Sequence, residues 1–302
     1  MVKILLIGAT GQVGWELQRT LSTLAELVCV SHASKGYRSM NLTKSDRIRE
    51  VIREVQPTLI VNAAAYTAVD KAETEPELAM TVNGKALQII AEEAKRLNAG
   101  VIHYSTDYVF DGTQTAPYGE AARPNPLNVY GKTKLAGEQA LATIEVPYLI
   151  FRTSWVYGLR GKNFLRTMLK LAQERQELKI VADQIGAPTW SRTIAEVTAQ
   201  IVAQAKPDPT RFLNDYQGIY HLTSTGQASW YEFAKTIFEL TKSFEQQAIK
   251  AVLPISSEEY PTPAKRPLYS SLDLTKISQT FNLQLPNWHQ ALELVLSEWN
   301  DR

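Results

Sequence analysis

The chain has 302 residues, of which 44% are hydrophobic and 21% charged, a balance typical of globular proteins. Lys and Arg total 32 against 31 Asp and Glu, and this net charge of +1 argues against a nucleic-acid or anionic-membrane partner. The single cysteine, Cys29, excludes an intrachain disulfide. No segment reads as a signal peptide or a membrane span, so we expect a cytoplasmic location.

The first half of the sequence alternates apolar runs with amphipathic segments. Strands are predicted for the apolar runs at residues 2–7, 27–30, 59–61, 101–104 and 148–151. Helices are predicted for the amphipathic segments at residues 13–23, 44–55, 76–97 and 129–143. Because alternating strands and helices form βαβ units, we expect an α/β fold with a doubly wound, mostly parallel, Rossmann-like sheet.

The second half alternates less regularly. Helices are predicted at residues 163–176, 191–204, 230–242 and 288–299, and loops at 207–209 and 260–267. We therefore expect two domains. Residues 1–152 would form the sheet domain and residues 153–302 a smaller C-terminal domain, with some of the chain returning to the first.

Three glycines, Gly8, Gly11 and Gly14, follow the first predicted strand and open the first predicted helix. A backbone without Cβ atoms can turn sharply and approach a pyrophosphate, and a helix N-terminus offers free N–H groups and the positive end of its dipole. The alternative is a strand–helix turn that binds nothing. The position between strand and helix favours a dinucleotide site.

The end of the second predicted strand, near Ser31, lacks the acidic residue that usually binds the ribose 2′-hydroxyl of NAD. No Asp or Glu lies between Glu26 and Asp46, whereas Lys35 and Arg38 do. Such cations can pair with a 2′-phosphate, or they belong to a solvated loop. We favour NADPH as the cofactor, with NADH as the alternative.

Tyr130 and Lys134 have the i, i+4 spacing that places two side chains on one helix face. A tyrosine can donate a proton to the oxygen that becomes an alkoxide as hydride arrives, and a nearby ammonium lowers the pKa of a phenol. Upstream, Ser105 or Thr106 offers a hydroxyl to polarise a carbonyl. The alternatives are a core aromatic with a lysine at its rim, and a strand-end hydroxyl that caps a turn.

Together these motifs resemble the extended short-chain dehydrogenase/reductase superfamily and, within it, the dTDP-4-dehydrorhamnose reductase family. The resemblance rests on residues 11–17, 61–73, 105–110, 130–138, 151–157, 186–189 and 260–267. It implies reduction of dTDP-4-dehydro-L-rhamnose to dTDP-L-rhamnose. The first domain would bind NADPH and carry the catalytic residues, and the second would mainly bind the dTDP-linked keto-deoxysugar.

The resemblance also implies roles for single residues. Tyr130 would be the proton donor, Lys134 the modifier of its pKa, and Thr106 rather than Ser105 the polarising hydroxyl. The predicted substrate contacts are Thr106, Asp107, Trp155 and Arg266, the last at the diphosphate. With the residues argued above, the predicted cofactor contacts are Gly8, Thr10, Gly11, Gln12, Val13, Gly14, Ser31, Lys35, Arg38, Asn41, Leu42, Ala63, Ala64, Ala65, Tyr66, Thr67, Tyr104, Tyr130 and Lys134.

One departure from the family concerns a metal. Some members bind Mg²⁺ through glutamates at a dimer interface, and Glu16 matches one of these. Arg192 stands where another glutamate is expected, and an arginine cannot ligate Mg²⁺, which takes oxygen ligands. We therefore expect no metal site, and a monomer or a homodimer without a metal bridge.

Two other functions stay open at this point. A similar fold serves as the non-catalytic regulatory subunit of a methionine adenosyltransferase, but that function predicts loss of the Thr106, Tyr130 and Lys134 set. A sugar-nucleotide epimerase or dehydratase keeps NAD bound and regenerates it, and the acid-free loop after the second strand argues against that chemistry.

Overall fold

The computed structural model describes residues 2–32 and 36–300. Its strands, in chain order, are β1 (Lys3–Ile7), β2 (Glu26–Ser31), β3 (Arg38–Ser39), β4 (Leu59–Asn62), β5 (Gly100–Thr106), β6 (Tyr148–Thr153), β7 (Val156–Tyr157), β8 (Glu177–Val181), β9 (Ile185–Gly186), β10 (Thr189–Trp190), β11 (Gly218–His221), β12 (Ala228–Ser229) and β13 (Ala251–Ile255). Seven of them form one parallel sheet in the order β11-β6-β5-β4-β1-β2-β3. The others pair as β7 with β10, β8 with β13 and β9 with β12.

All five strands predicted in the first half are present. Four of them are apolar runs that are largely buried between helices on both faces of the sheet, whereas β2 is buried only at Val30 and Ser31. The edge strand β11 was not predicted. It has only four residues and begins with a glycine, so it lacks a distinct apolar run. The predicted α/β fold with a mostly parallel sheet is confirmed.

The helices are α1 (Gln12–Leu21), α2 (Ser45–Val55), α3 (Val69–Ala72), α4 (Pro76–Met80), α5 (Ala86–Leu97), α6 (Val129–Ile144), α7 (Phe164–Glu174), α8 (Ser191–Gln204), α9 (Pro209–Asp215), α10 (Trp230–Thr241), α11 (Thr275–Phe281) and α12 (Trp288–Asn300). The helix predicted at 76–97 is divided by a π-helical turn, Thr81–Lys85. Here the carbonyl of Asn83 approaches Gly137 of α6 so closely that a Cβ at Gly137 would overlap it. The predicted loop at 207–209 runs into α9, because Asp208 caps that helix and Pro209 occupies its first turn.

The core divides into layers that follow the sheet. One cluster packs α1 and α8 against one face of the sheet, and another packs α2 and α5 against the other. A third cluster, away from the sheet, joins α7, α10 and α12. Since α8 and β11 belong to the sheet layers, part of the second half of the chain returns to the first. The boundary at residues 152 and 153 stays a prediction.

Among the described residues, no helix is both long and apolar enough to span a membrane.

Candidate active site

A cleft of about 520 Å³ opens at the carboxyl ends of β1, β4 and β5. A smaller cavity of about 270 Å³ adjoins it, and Gly8, His32, Ala64 and Ala65 line both. In doubly wound sheets the ligand lies outside the carboxyl ends of the strands, where the glycine turn and helix N-terminus meet it. The two spaces together therefore form an elongated candidate cofactor site.

The glycine turn lies on the wall of this cleft. Gly8 has a φ of +85°, and a Cβ there would lie 2.7 Å from the backbone nitrogen of Ala64. A Cβ at Gly14 would overlap the Gly8 carbonyl. Gly11 caps α1 without a side chain, so the N–H groups of the first turn face the cleft without a side-chain acceptor. This geometry suits the close approach of an anion.

The structure brings most of the predicted cofactor residues to these two spaces. The cleft is lined by Gly8, Thr10, Gly11, Gln12, Val13, Ala63, Ala64, Ala65, Thr67, Tyr104, Tyr130 and Lys134. The adjoining cavity is lined by Ser31, Asn41, Leu42 and Tyr66. Arg38 instead forms an exposed ion pair with Glu54, with an N–O distance of 3.0 Å. The predicted contact Lys35 lies outside the described residues.

Tyr130 and Lys134 both face the cleft from α6. Burial raises the pKa of Tyr130 to about 12, although the nearby Thr106 hydroxyl opposes this shift. Burial also lowers the pKa of Lys134 to about 8, against the attraction of Glu138. The expected lowering of the Tyr130 pKa is therefore not seen, because burial raises that pKa. The phenol is protonated at neutral pH and can act as a proton donor.

Lys134 is held by neutral partners. Its Nζ donates to the Tyr104 carbonyl at 2.6 Å and lies 3.0 Å from Nε2 of His103. The side chain is only 1% exposed, so its position is fixed by these contacts rather than by solvent.

The two candidate hydroxyls at the end of β5 have different surroundings. Ser105 lines the cleft, and its Oγ is buried without a hydrogen-bond partner among the described residues. Thr106 lies beside Tyr130, accepts a hydrogen bond from the Tyr108 N–H and donates to Asp107 at 3.1 Å. Burial raises the pKa of Asp107 to about 6, and the nearby hydroxyls of Ser270 and Thr106 oppose this shift.

The predicted substrate residue Trp155 is tightly packed. Its ring stacks on Trp230 with centroids 3.5 Å apart and an interplanar angle of 3°. A Cβ at Gly186 would lie 2.6 Å from the Trp155 ring, so only glycine fits beneath it. The backbone of Trp155 has a φ of +45°, a conformation that costs energy for a bulky residue and that is common at functional sites.

Arg266, predicted to bind a diphosphate, has a carboxylate partner within the chain. It forms two hydrogen bonds with Asp70, at 2.8 and 3.1 Å. The Tyr108 side chain lies beside the guanidinium and makes an edge contact with the Tyr130 ring, with centroids 5.9 Å apart. Arg266 therefore lies one aromatic ring away from Tyr130.

The loop before α7 also lies at the cleft, and its residues were not predicted as site residues. Gly161 and Lys162 line the cleft, and Asn163 donates to the Gln12 side chain at 2.8 Å. The loop thereby adds a cation beside the glycine turn. His103, which contacts Lys134, was not predicted either. No local spacing could have predicted these positions, because the Asn163–Gln12 and His103–Lys134 contacts each join segments that are distant in sequence.

The structure also bears on the metal site of the family. Arg192 donates to Glu16 at 3.2 Å and contacts Glu298, so its guanidinium lies between two carboxylates. A cation supplied by the chain thus occupies the place between these glutamates, and the residues present do not fit Mg²⁺. Within residues 2–32 and 36–300, no group of three or more His, Cys, Asp or Glu side chains is arranged to hold a metal ion.

Curated proteins match this chain over nearly its whole length. The curated dTDP-4-dehydrorhamnose reductase of Escherichia coli K12 is 45% identical over 298 residues, covering 98% of each chain. The protein of the same name from Burkholderia thailandensis is 44% identical over 301 residues, covering 98% of this chain and 99% of its own.

Solved structures show the same fold. A dTDP-4-dehydrorhamnose reductase from Bacillus anthracis, in complex with NADP, superposes with a TM-score of 0.88 at 34% identity and covers 99% of this chain and 100% of its own. A UDP-glucose 4-epimerase from Thermus thermophilus, at 17% identity and a TM-score of 0.80, shares the fold alone, over 99% of each chain. The family described as RmlD substrate binding domain matches residues 2–300, and the chain belongs to this family.

Proposed function

We propose that this protein reduces the keto group of dTDP-4-dehydro-β-L-rhamnose to give dTDP-β-L-rhamnose, with NADPH as the hydride donor. The observation that carries the proposal is that one cleft contains both the glycine turn and the Tyr130–Lys134 pair. Relatives that match this chain end to end are named for the same reaction, and one solved relative is a complex with NADP.

The site's own residues account for the proton side of the reaction. NADPH supplies the hydride when bound, and the glycine turn with the first turn of α1 would hold its pyrophosphate. Tyr130, protonated at neutral pH, would donate its hydroxyl proton to the substrate oxygen as charge develops there. Thr106, whose hydroxyl lies beside Tyr130, would fix that oxygen, and the Lys134 charge would stabilise the phenolate that remains.

The substrate would extend from Tyr130 toward the C-terminal half of the chain. Trp155 offers an aromatic surface and Asp107 a buried carboxyl next to the reacting oxygen. Arg266 would contact the diphosphate while it keeps Asp70 as a partner, since a guanidinium has five N–H donors.

The test is direct turnover. Purified protein mixed with NADPH and the dTDP-linked keto sugar should consume one NADPH for each sugar reduced, measured by loss of the reduced-nicotinamide absorbance and by product analysis. Folded protein that consumes no NADPH would leave the regulatory-subunit alternative. Conversion of the sugar without net NADPH consumption would indicate an epimerase or dehydratase. Rates with NADH measure the cofactor preference.

We further propose that turnover needs no Mg²⁺, because Arg192 lies between Glu16 and Glu298. Rates should be equal in excess EDTA and in millimolar Mg²⁺. A rate that depends on Mg²⁺ would contradict this. Sedimentation in the same two buffers distinguishes a monomer from a homodimer and shows whether Mg²⁺ changes that state. The cytoplasmic location stays a prediction.

A further inference from the structure

A buried histidine links the cofactor side of the cleft to Lys134. His103 is only 1% exposed, in the middle of β5, and its register partner on β4 is Asn62. One ring nitrogen, Nε2, lies 3.0 Å from Lys134 Nζ. The other, Nδ1, lies 3.2 Å from the side-chain amide nitrogen of Asn62. The Asn62 amide nitrogen and the Lys134 ammonium can only donate, whereas an uncharged imidazole has one acceptor nitrogen. Because a charged donor makes the stronger hydrogen bond, Nε2 accepts from Lys134 and Nδ1 carries the ring hydrogen. Asn62 is therefore a packing neighbour of the ring and not its hydrogen-bond partner.

Asn62 in turn has a fixed orientation. Its side-chain oxygen accepts a hydrogen bond from the backbone N–H of Ala64 at 3.1 Å. Ala64 lines the cleft and packs against the Gly8 turn. The wall of the cofactor site, the Asn62 amide, the His103 ring and Lys134 are therefore in contact in that order.

Lys134 needs such a restraint. A lysine side chain is flexible, and ordering it costs rotamer entropy. Glu138 lies one helical turn further along α6 and would attract the ammonium away from the cleft. Both Glu138 oxygens already accept hydrogen bonds from Arg152, at 3.0 and 2.6 Å. The Tyr104 carbonyl and His103 hold Nζ at the cleft.

The chemical nature of His103 suits this task. Burial, with the neighbouring charge of Lys134, holds the pKa of His103 well below its ordinary value, so the ring is uncharged at neutral pH. An uncharged partner fixes the position of Nζ without cancelling its charge, as a carboxylate would. The field of the ammonium thus remains available to Tyr130.

We infer that His103 is a positioning residue that acts on the reaction only through Lys134. This inference rests on the proposed function, in which Lys134 serves Tyr130 and the cofactor. It adds a residue that has no contact with the reacting atoms.

A double-mutant cycle in kcat tests the inference. His103→Phe keeps the ring volume but removes both nitrogens, and kcat should fall about 10- to 100-fold. Lys134→Met should lower kcat by about 100-fold or more, and the double variant should match Lys134→Met within about threefold, because residues that act as a unit are not additive. His103→Gln, which can return a polar atom to Nζ, should recover kcat to within about fivefold of the parent. His103→Asn, with a shorter side chain, should not.

His221 is the matched control. It is also a buried histidine of the main sheet, on β11, but its Nδ1 contacts the Asp273 carbonyl at 3.2 Å and it has no place in the proposed machinery. His221→Gln should keep kcat within about threefold of the parent at temperatures where every variant is folded. The inference would be overturned if the kcat losses of His103→Phe and Lys134→Met multiplied in the double variant. It would also be overturned if His103→Phe had the parental kcat.

A second readout does not depend on turnover. The second readout is urea unfolding of the parent, His103→Phe, Lys134→Met and the double variant. In the His103→Phe background, Lys134→Met should recover the lost stability, because no buried amine is then left without its partner. Additive changes in the free energy of unfolding would contradict the contact itself. Absence of turnover in the parent, with this coupling intact, would instead count against the proposed function.

Discussion

Two buried cations of the first half of the chain have opposite surroundings. Arg152 on β6 is 2% exposed and is bonded by both oxygens of Glu138, with its guanidinium 5.1 Å from the Phe110 ring centroid. Lys134 on α6 is 1% exposed, and its hydrogen-bonding partners are a carbonyl and an uncharged imidazole. The charge of Arg152 is neutralised by the Glu138 carboxylate, whereas the charge of Lys134 has no hydrogen-bonded carboxylate to offset it.

The difference separates structure from chemistry. A buried ion pair is costly to break, because either partner alone is a buried uncompensated charge. A buried cation among neutral groups is itself costly to keep, and here that cost appears as a lowered lysine pKa. We infer that Arg152 serves the stability of the fold and that Lys134 serves catalysis. Removal of the Arg152 charge should therefore lower the free energy of unfolding, whereas removal of the Lys134 charge should raise it.

The largest expected effect is on the catalytic side. Tyr130→Phe removes the donated proton and should lower kcat by roughly 10²- to 10⁴-fold, the usual contribution of a general acid. NADPH binding, measured by fluorescence titration, and the unfolding midpoint should change little, because the ring remains. A variant with the parental kcat would remove Tyr130 from the mechanism, and one that no longer binds NADPH would give it a different role.

Next in size is the structural pair. Arg152→Met should lower the free energy of unfolding by about 3–5 kcal/mol, because it leaves the Glu138 carboxylate buried and unpaired. Urea unfolding at pH 7 measures this. The double variant Arg152→Met with Glu138→Leu should recover most of the loss. If the single substitution costs less than about 1 kcal/mol, the contrast with Lys134 does not hold.

Lys134 should behave in the reverse way and depend on pH. Its pKa is lowered from 10.5 to about 8, so the folded protein binds this proton more weakly than the unfolded chain does. The loss of folding stability from keeping this buried ammonium charged is complete below pH 8. It decreases between pH 8 and 10.5, where the folded protein alone loses the proton. Lys134→Met should therefore raise the free energy of unfolding by up to about 3 kcal/mol at pH 7.

The same substitution should give little gain near pH 10.5 and should lower kcat at every pH. Urea unfolding of parent and variant at pH 7 and pH 10 tests the sign. A Lys134→Met protein that is less stable than the parent at pH 7 would show that the neutral contacts stabilise the lysine more than burial penalises it.

The sequence could predict what depends on local order. Continuous apolar runs identified the parallel strands, and the spacing from Gly8 to Gly14 identified the turn at the cleft, because both signals lie within a few residues. The i, i+4 spacing likewise predicted that Tyr130 and Lys134 share a face. Whether that face meets the cleft depends on how α6 packs, which no local pattern encodes.

What could not be predicted depends on register and distant packing. His103 reaches Lys134 because β4, β5 and α6 pack together, and its sequence neighbours carry no sign of this. Trp155 stacks on Trp230, which is far along the chain. The pKa of Tyr130 was expected to fall because a lysine is near, but burial decides it, and burial is a property of the fold.

The smallest expected effect concerns a third cation, which is exposed. Arg38 and Glu54 are 42% and 44% exposed, so their ion pair should contribute less than about 1 kcal/mol, and Arg38→Ala should barely change the unfolding midpoint. If the guanidinium instead serves a 2′-phosphate, Arg38→Ala should weaken NADPH binding by up to about tenfold and leave NADH unchanged. Glu54→Gln, which frees Arg38, should strengthen NADPH binding in low salt, and the gain should shrink as salt screens it. Equal changes for the two cofactors would place Arg38 outside the site, since only the phosphate distinguishes them.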